Sequence, residues 1–91
     1  MKILKFNAMW CSGCLVMKKT INEIKELYPD IDIIDYDYDI DTLEVEKWNV
    51  GTIIPVMIFL DKNDNEIIRL KGEKSKKEII KVIEEIKNEK N

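Results

Sequence analysis

Histidine is absent from this chain, and it has only two cysteines, two prolines and three glycines. Without histidine, one copy of the chain cannot supply the four ligands of a closed zinc site. The 15 basic and 18 acidic residues are mixed along the sequence, so no basic face indicates nucleic-acid binding. No apolar run reaches the length of a transmembrane helix. We therefore expect neither a nucleic-acid partner nor a membrane partner.

The length and composition favour a single globular domain spanning residues 1–91. Ninety-one residues can form a core that buries about two-thirds of the unfolded surface. Apolar residues make up 45% of the chain, which is enough to order it. No internal repeat or low-complexity linker divides the sequence.

The N-terminal sequence MKILKFNAMW lacks the apolar centre of a signal peptide, because one early lysine is followed directly by charged and polar residues. We therefore expect a cytoplasmic protein. Structural disulfides do not persist in a reducing cytosol. A pair of cysteines in that compartment indicates redox catalysis or metal binding.

The hydrophobic pattern predicts four strands and three helices in the order βαβαββα. A parallel strand pair joined through a helix favours an α/β fold with a four-stranded mixed sheet flanked by helices. Ser75 can cap the last helix, which we expect to fray from about Lys87. The predicted strands are residues 2–7, 32–38, 55–60 and 66–71, and the first two helices are residues 11–28 and 39–49.

Two groups of charged residues are interpreted as solvated surfaces. The aspartates at positions 30, 32, 35, 37, 39 and 41 are expected to alternate onto one strand face, since the glycine and terminal glutamate of an EF-hand are missing. Asp41 or Thr42 could also cap the second helix. The lysine-rich stretch over residues 71–81 is interrupted by Glu73 and Glu78.

Cys11 and Cys14 lie where the first strand is predicted to lead into the first helix. There, unpaired backbone N–H groups and the helix dipole stabilise a thiolate on Cys11, which we predict to be the nucleophile. Cys14 follows about one helical turn later and is expected to lie deeper, as the resolving thiol. Attack by Cys11 on a disulfide and displacement by Cys14 would oxidise the pair.

Ala8, Trp10, Cys11 and Cys14 match the A-x-W-C-x-x-C signature of the thioredoxin family, which the chain resembles over nearly its whole length. The resemblance implies a thioredoxin-like fold and a protein-disulfide oxidoreductase that needs no cofactor. It also implies disulfide-containing proteins and an electron-donating reductase as partners. The sequence carries no sign of oligomerisation, so a monomer is the default expectation. In this family a cis-proline faces the disulfide, and Ile54-Pro55 stands at that place. The surface implied around Cys11 comprises Trp10, Ser12, Gly13, Ile54, Pro55 and Gly72.

Trp10 is assigned to the rim of this site, whereas Trp48, Tyr36 and Tyr38 are predicted to pack in the core. By the same resemblance, backbone groups near Ile54 would pair with an extended substrate segment.

The chain departs from the family pattern in the charges expected below the cysteines. Lys5 stands where thioredoxins keep a buried aspartate, and Asp35 stands approximately where they keep a lysine. We hypothesise that Lys5 and Asp35 form a partly buried pair near Cys14, because either charge buried alone would be costly. Lys5 would then favour the Cys14 thiolate.

Ser12 and Gly13 replace the glycine and proline that reducing thioredoxins place between the cysteines, so the reduction potential stays open. Two other functions also remain. The dithiol could bind a metal, or the domain could be an interaction module that senses redox state without turnover.

Overall fold

The structure is a computed structural model that describes residues 1–89. In this part of the chain the elements are β1 (Lys2–Asn7), α1 (Ser12–Leu27), β2 (Asp32–Asp37), α2 (Thr42–Lys47), β3 (Val56–Leu60), β4 (Glu66–Lys71) and α3 (Lys76–Glu89). The strands form one sheet in the order β2-β1-β3-β4. β1 is parallel to β2, and β3 is antiparallel to both β1 and β4. The predicted βαβαββα order and mixed sheet are confirmed.

One face of the sheet packs against α1 and α3. Alternate strand residues such as Ile3, Met57 and Phe59 point to this face, because side chains in a strand alternate between its two sides. The helices contribute apolar stripes at helical spacing, and these buried residues are Met17, Ile21, Ile24, Ile79, Ile83 and Ile86. This layer is the larger of the two cores.

The opposite face of the sheet has a thinner cover. Its buried residues include Phe6, Val56 and Ile58, but α2 itself has no buried residue. Partly buried aromatic side chains complete the layer, and Tyr36 stacks on Phe6 with ring centroids 5.2 Å apart. The aromatic residues predicted to pack in the core do so, namely Tyr36, Tyr38 and Trp48.

Several predicted boundaries differ from the structure by one to three residues, most of all those of α2, which spans Thr42–Lys47 rather than residues 39–49. β3 begins at Val56, one residue after Pro55, which has no N–H to donate to the sheet. α3 continues through Glu89, past the predicted fraying point at Lys87. Lys87 Nζ lies 3.4 Å from Asp30 Oδ2 and 5.1 Å from the centre of the Tyr28 ring, and these contacts anchor the last turn. Residues 90 and 91, to which that prediction also applied, lie outside the described residues.

The prediction that the aspartates share one strand face is wrong. Asp32 lies on the opposite side of β2 from Asp35 and Asp37, since three residues of spacing reverse the face of a strand. Asp37 Oδ1 instead accepts the N–H groups of Asp39 and Ile40, at 2.8 and 3.1 Å. Asp41 is the N-cap residue of α2, but its side chain makes no capping bond and accepts the Asp37 N–H. These carboxylates shape the loop after β2.

No helix within residues 1–89 is long and apolar enough to span a membrane.

Candidate active site

Cys11 is the N-cap residue of α1, and its backbone is extended, with φ −91° and ψ 109°. Its Sγ accepts the backbone N–H of Cys14 at 3.2 Å, in the way that serine or aspartate oxygens commonly cap helices. Negative charge on this sulfur would strengthen the bond and interact favourably with the helix dipole. The sulfur of Cys11 is therefore held at the positive end of α1.

Cys11 and Cys14 are both free thiols, and they are almost equally buried, with 7% and 5% of their surfaces exposed. They form a small cluster with Ala8, against which Tyr38 and Ile54 pack. Cys14 was expected to lie deeper than Cys11, but the difference in their burial is small. Their roles must be separated by their neighbours rather than by their exposure.

Burial raises the pKa of the Cys14 thiol from 9.0 to about 11. The hydrogen bond and the charge of Cys11 act in the same direction, because both disfavour a second negative charge. A backbone contact with Ala8 and the positive charge of Lys5 act in the opposite direction. Cys14 is therefore kept in its protonated form at neutral pH.

Lys5 is 5% exposed and lies beside Asp35 in the paired register of β1 and β2. Its Nζ is 3.6 Å from Asp35 Oδ1 and donates a hydrogen bond to the Asn7 side chain, whose own Nδ2 donates to Asp35 Oδ1 at 3.1 Å. Lys25 approaches the same carboxylate from α1, at 3.8 Å. The structure thus contains the predicted pair, with half-exposed Asp35 as its solvated partner.

Opposing effects act on the pKa of Lys5. Burial lowers its pKa, whereas the charges of Asp35 and Cys14 raise it. Lys5 and Cys14 both line an open cleft of about 490 Å³ between α1 and β2. This cleft was not foreseen from the sequence, since no motif marks it.

The Trp10 side chain is 63% exposed beside Cys11 and is held by two contacts. Its Nε1–H donates to Asp39 Oδ2 at 2.8 Å, and its ring meets Tyr38 edge-on with centroids 6.3 Å apart. The Tyr38 hydroxyl donates in turn to the carbonyl of Gly51. Trp10 therefore lies at the surface, as expected, in a fixed orientation.

The Ile54-Pro55 bond is cis, and the loop that contains it is tied to the loop after β4. The tie is a hydrogen bond of 2.8 Å from Gly72 N–H to the Pro55 carbonyl. Gly72 has φ +87°, which glycine adopts without the steric penalty of other residues. Ile54 packs against the cysteine cluster. These loops bring Ile54, Pro55 and Gly72 to the site, as the resemblance implied.

Gly13 lies in the first turn of α1, between exposed Ser12 and Cys14, and faces the two tied loops. A Cβ placed on Gly13 would lie 3.4 Å from Pro55 Cδ and 3.5 Å from Glu73 Oε1. Glu73 is therefore a site residue that the sequence analysis missed, because it was grouped with the solvated lysine-rich stretch. Its position directly after Gly72 was the available signal.

Within residues 1–89, no group of three or more histidine, cysteine, aspartate or glutamate side chains could hold a metal ion.

A dithiol at the start of the helix after β1, with a cis-proline loop beside it, is the arrangement that the resemblance to thioredoxins implied. The comparison with family models agrees, because the model described as Thioredoxin matches residues 1–85. The chain therefore belongs to the thioredoxin family.

Curated relatives and solved structures show the same likeness. The chain is 36% identical to thioredoxin H5 of Oryza sativa subsp. japonica over 70 residues, which cover 77% of this chain and only half of the rice protein. It is 27% identical over 81 residues to the thioredoxin of Chlamydia trachomatis serovar D, covering 89% of this chain and 78% of that protein. The structure of thioredoxin NaTrxh from Nicotiana alata matches with a TM-score of 0.84 and 30% identity, covering 92% of this chain and 70% of that one.

Proposed function

We propose that this protein reduces disulfide bonds in other proteins, with Cys11 and Cys14 as its redox-active dithiol. The observation that carries the proposal is the hydrogen bond from Cys14 N–H to Cys11 Sγ at the start of α1. It holds the sulfur of Cys11 at the positive end of the helix and keeps the second thiol within the same helical turn. Membership of the thioredoxin family supports the same reaction.

The proposed reaction has two exchange steps. The Cys11 thiolate attacks one sulfur of the substrate disulfide, forming a mixed disulfide and releasing the other substrate sulfur as a thiolate. Cys14 then loses its proton and attacks Cys11 Sγ, which releases the second substrate sulfur. Two electrons pass to the substrate, its sulfurs take up protons to become thiols, and the protein is left with a Cys11–Cys14 disulfide. An electron-donating reductase would return the protein to the dithiol form.

We assign Lys5 and Asp35 to the second step. Burial disfavours the Cys14 thiolate, whose pKa is raised to about 11, and the buried ammonium group of Lys5 partly offsets that effect. Asp35 and Asn7 hold the ammonium group in place. In this proposal Lys5 is a positioning residue, since it acts through its charge on Cys14 and does not touch substrate.

The substrate would lie on the surface formed by Trp10, Ser12, Gly13, Ile54, Pro55 and Gly72. Two further apolar side chains extend this surface, because Met9 is 88% exposed and Ile53 is 60% exposed. A shallow apolar surface beside a loop suits an extended protein segment. We place the reaction in the cytoplasm, where thiols are kept reduced, and propose that the protein works as a monomer.

The test uses the wild type, Cys11→Ser and Cys14→Ser, each mixed in reduced form with a peptide disulfide. Mass spectrometry and thiol labelling then identify the products. We expect a stable mixed disulfide on Cys11 in Cys14→Ser, no adduct in Cys11→Ser, and an internal disulfide in the wild type. If Cys11→Ser formed an adduct on Cys14 as fast as Cys14→Ser forms one on Cys11, the assigned roles would be reversed.

The direction of electron flow has its own test. The wild type is equilibrated with thiol redox buffers, and the oxidised fraction is read by thiol labelling. A reduction potential near about −270 mV would support a thioredoxin-type reductant. A value near about −200 mV would instead assign a glutaredoxin-like or oxidising role.

A further inference from the structure

Glu73 places a carboxylate against the turn that carries the two cysteines. Its Oε1 lies 3.5 Å, and its own Cβ 3.6 Å, from the position that a Cβ on Gly13 would occupy. Pro55 Cδ lies 3.4 Å from the same point. Glu73, Gly13 and Pro55 therefore meet at one place on the substrate surface.

The charge of Glu73 is available to a ligand. Its side chain is exposed, and within residues 1–89 it takes part in no hydrogen bond or ion pair. The adjacent Lys74 lines a separate shallow cleft on α3 with Glu78, Lys81 and Glu85. Lys71 acts elsewhere, because it helps Arg69 to hold the pKa of Glu66 below its ordinary value.

A second carboxylate lies beside Trp10. Asp39 Oδ2 accepts the indole N–H of Trp10 at 2.8 Å, so this carboxylate already has a side-chain partner. Of these two carboxylates, Glu73 alone has no side-chain partner of its own within residues 1–89.

We propose that Glu73 is a specificity-determining residue that favours substrate disulfides flanked by lysine or arginine. The inference rests on the proposed function, since it concerns the substrates of the same dithiol. A cationic side chain next to the reactive cysteine would pair with Glu73, whereas an acidic one would be repelled. Because the pair is exposed, we expect a preference of about threefold at low ionic strength, and less at high salt.

The test measures the second-order rate of reduction of two peptide disulfides by the reduced protein. The peptides are identical except that lysine in one replaces glutamate in the other beside the reactive cysteine. The ratio of the two rates within one variant cancels any change in the reactivity of the dithiol. We expect a ratio of about three for the wild type, close to one for Glu73→Gln, and below one for Glu73→Lys.

Glu85→Gln is the matched control, because it removes a carboxylate from the α3 cleft and should keep the wild-type ratio. A wild-type ratio of one, or an unchanged ratio in Glu73→Gln, would overturn this inference alone. If neither peptide were reduced, the proposed function would fail, and the inference with it.

Discussion

Cys11 and Cys14 are almost equally buried, yet they have different surroundings. Cys11 lies at the helix start, where its sulfur accepts an N–H and its chain neighbours Trp10 and Ser12 are exposed. Cys14 lines the cleft between α1 and β2, in the company of Lys5. The comparison shows that burial alone does not distinguish the proposed nucleophile from the proposed resolving thiol. The charges and donors around each sulfur make the difference, so they are the features to change.

The largest expected effect is on the pH dependence of the second exchange step. Burial is the main cause of the raised Cys14 pKa, and we expect this cause to remain in the mixed disulfide, where the charge of Cys11 is removed. The fraction of reactive Cys14 thiolate should therefore grow about tenfold per pH unit, or about a hundredfold between pH 7 and pH 9. Rapid mixing and acid quenching would follow the decay of the mixed disulfide.

The control is the rate at which Cys14→Ser forms its mixed disulfide with the substrate, because this rate depends on Cys11 alone. A decay rate in the wild type that did not change between pH 7 and pH 9 would contradict the role assigned to Cys14.

The same raised pKa predicts a loss of stability in alkali. Between pH 9.0 and about 11 the Cys14 thiol is deprotonated in the unfolded chain but protonated in the folded one. The unfolded state then binds fewer protons, so the free energy of unfolding falls as the pH rises, by up to about 2–3 kcal/mol. Urea unfolding under reducing conditions at pH 8 and pH 10.5 would measure this loss.

Cys14→Ser should lose correspondingly less stability over that interval. Lys5 contributes the opposite slope, since its pKa in the folded state lies below 10.5, but it is present in both proteins. Equal losses in the two proteins would show that Cys14 is not the group responsible.

A smaller effect is expected from removing the charge near Cys14. Lys5→Met abolishes an interaction that lowers the Cys14 pKa, so the second exchange step should slow by up to about tenfold near pH 8. The matched control is Lys25→Met, which removes an exposed lysine from the same carboxylate. If both variants slowed the step equally, the effect would come from Asp35 rather than from the charge of Lys5.

The smallest effect concerns the residue between the two thiols. Gly13 lies within α1, and a Cβ there would make ordinary contacts with Pro55 and Glu73. Gly13→Ala should therefore stabilise the folded protein, by about 0.5–1 kcal/mol, through the lower entropy of its unfolded chain. Thermal unfolding would detect the gain, and a lower melting temperature would mean that these contacts are too tight.

The strand and helix order could be predicted because the hydrophobic periods and turn residues were clear. The pairing of Lys5 with Asp35 followed once β1 and β2 were placed side by side. The positions of individual side chains were harder to predict. Asp32 was assigned to the wrong face because a spacing of three was treated as alternation. Glu73 was missed because Gly13 and Pro55, which lie 60 and 18 residues away in the sequence, meet it only in the folded chain.

The two edges of the sheet bear on how the protein behaves at high concentration. Within residues 1–89, β2 and β4 each pair on one side only. β2 carries Asp32, Asp35 and Asp37, and β4 carries an ion pair of 2.8 Å between Arg69 and Glu66 beside an irregular register with β3. A second copy aligned along β2 would bring carboxylates together, which is unfavourable. Charged edges of this kind oppose aggregation by strand addition. The two edge strands can therefore stay unpaired without binding the edge strands of other copies.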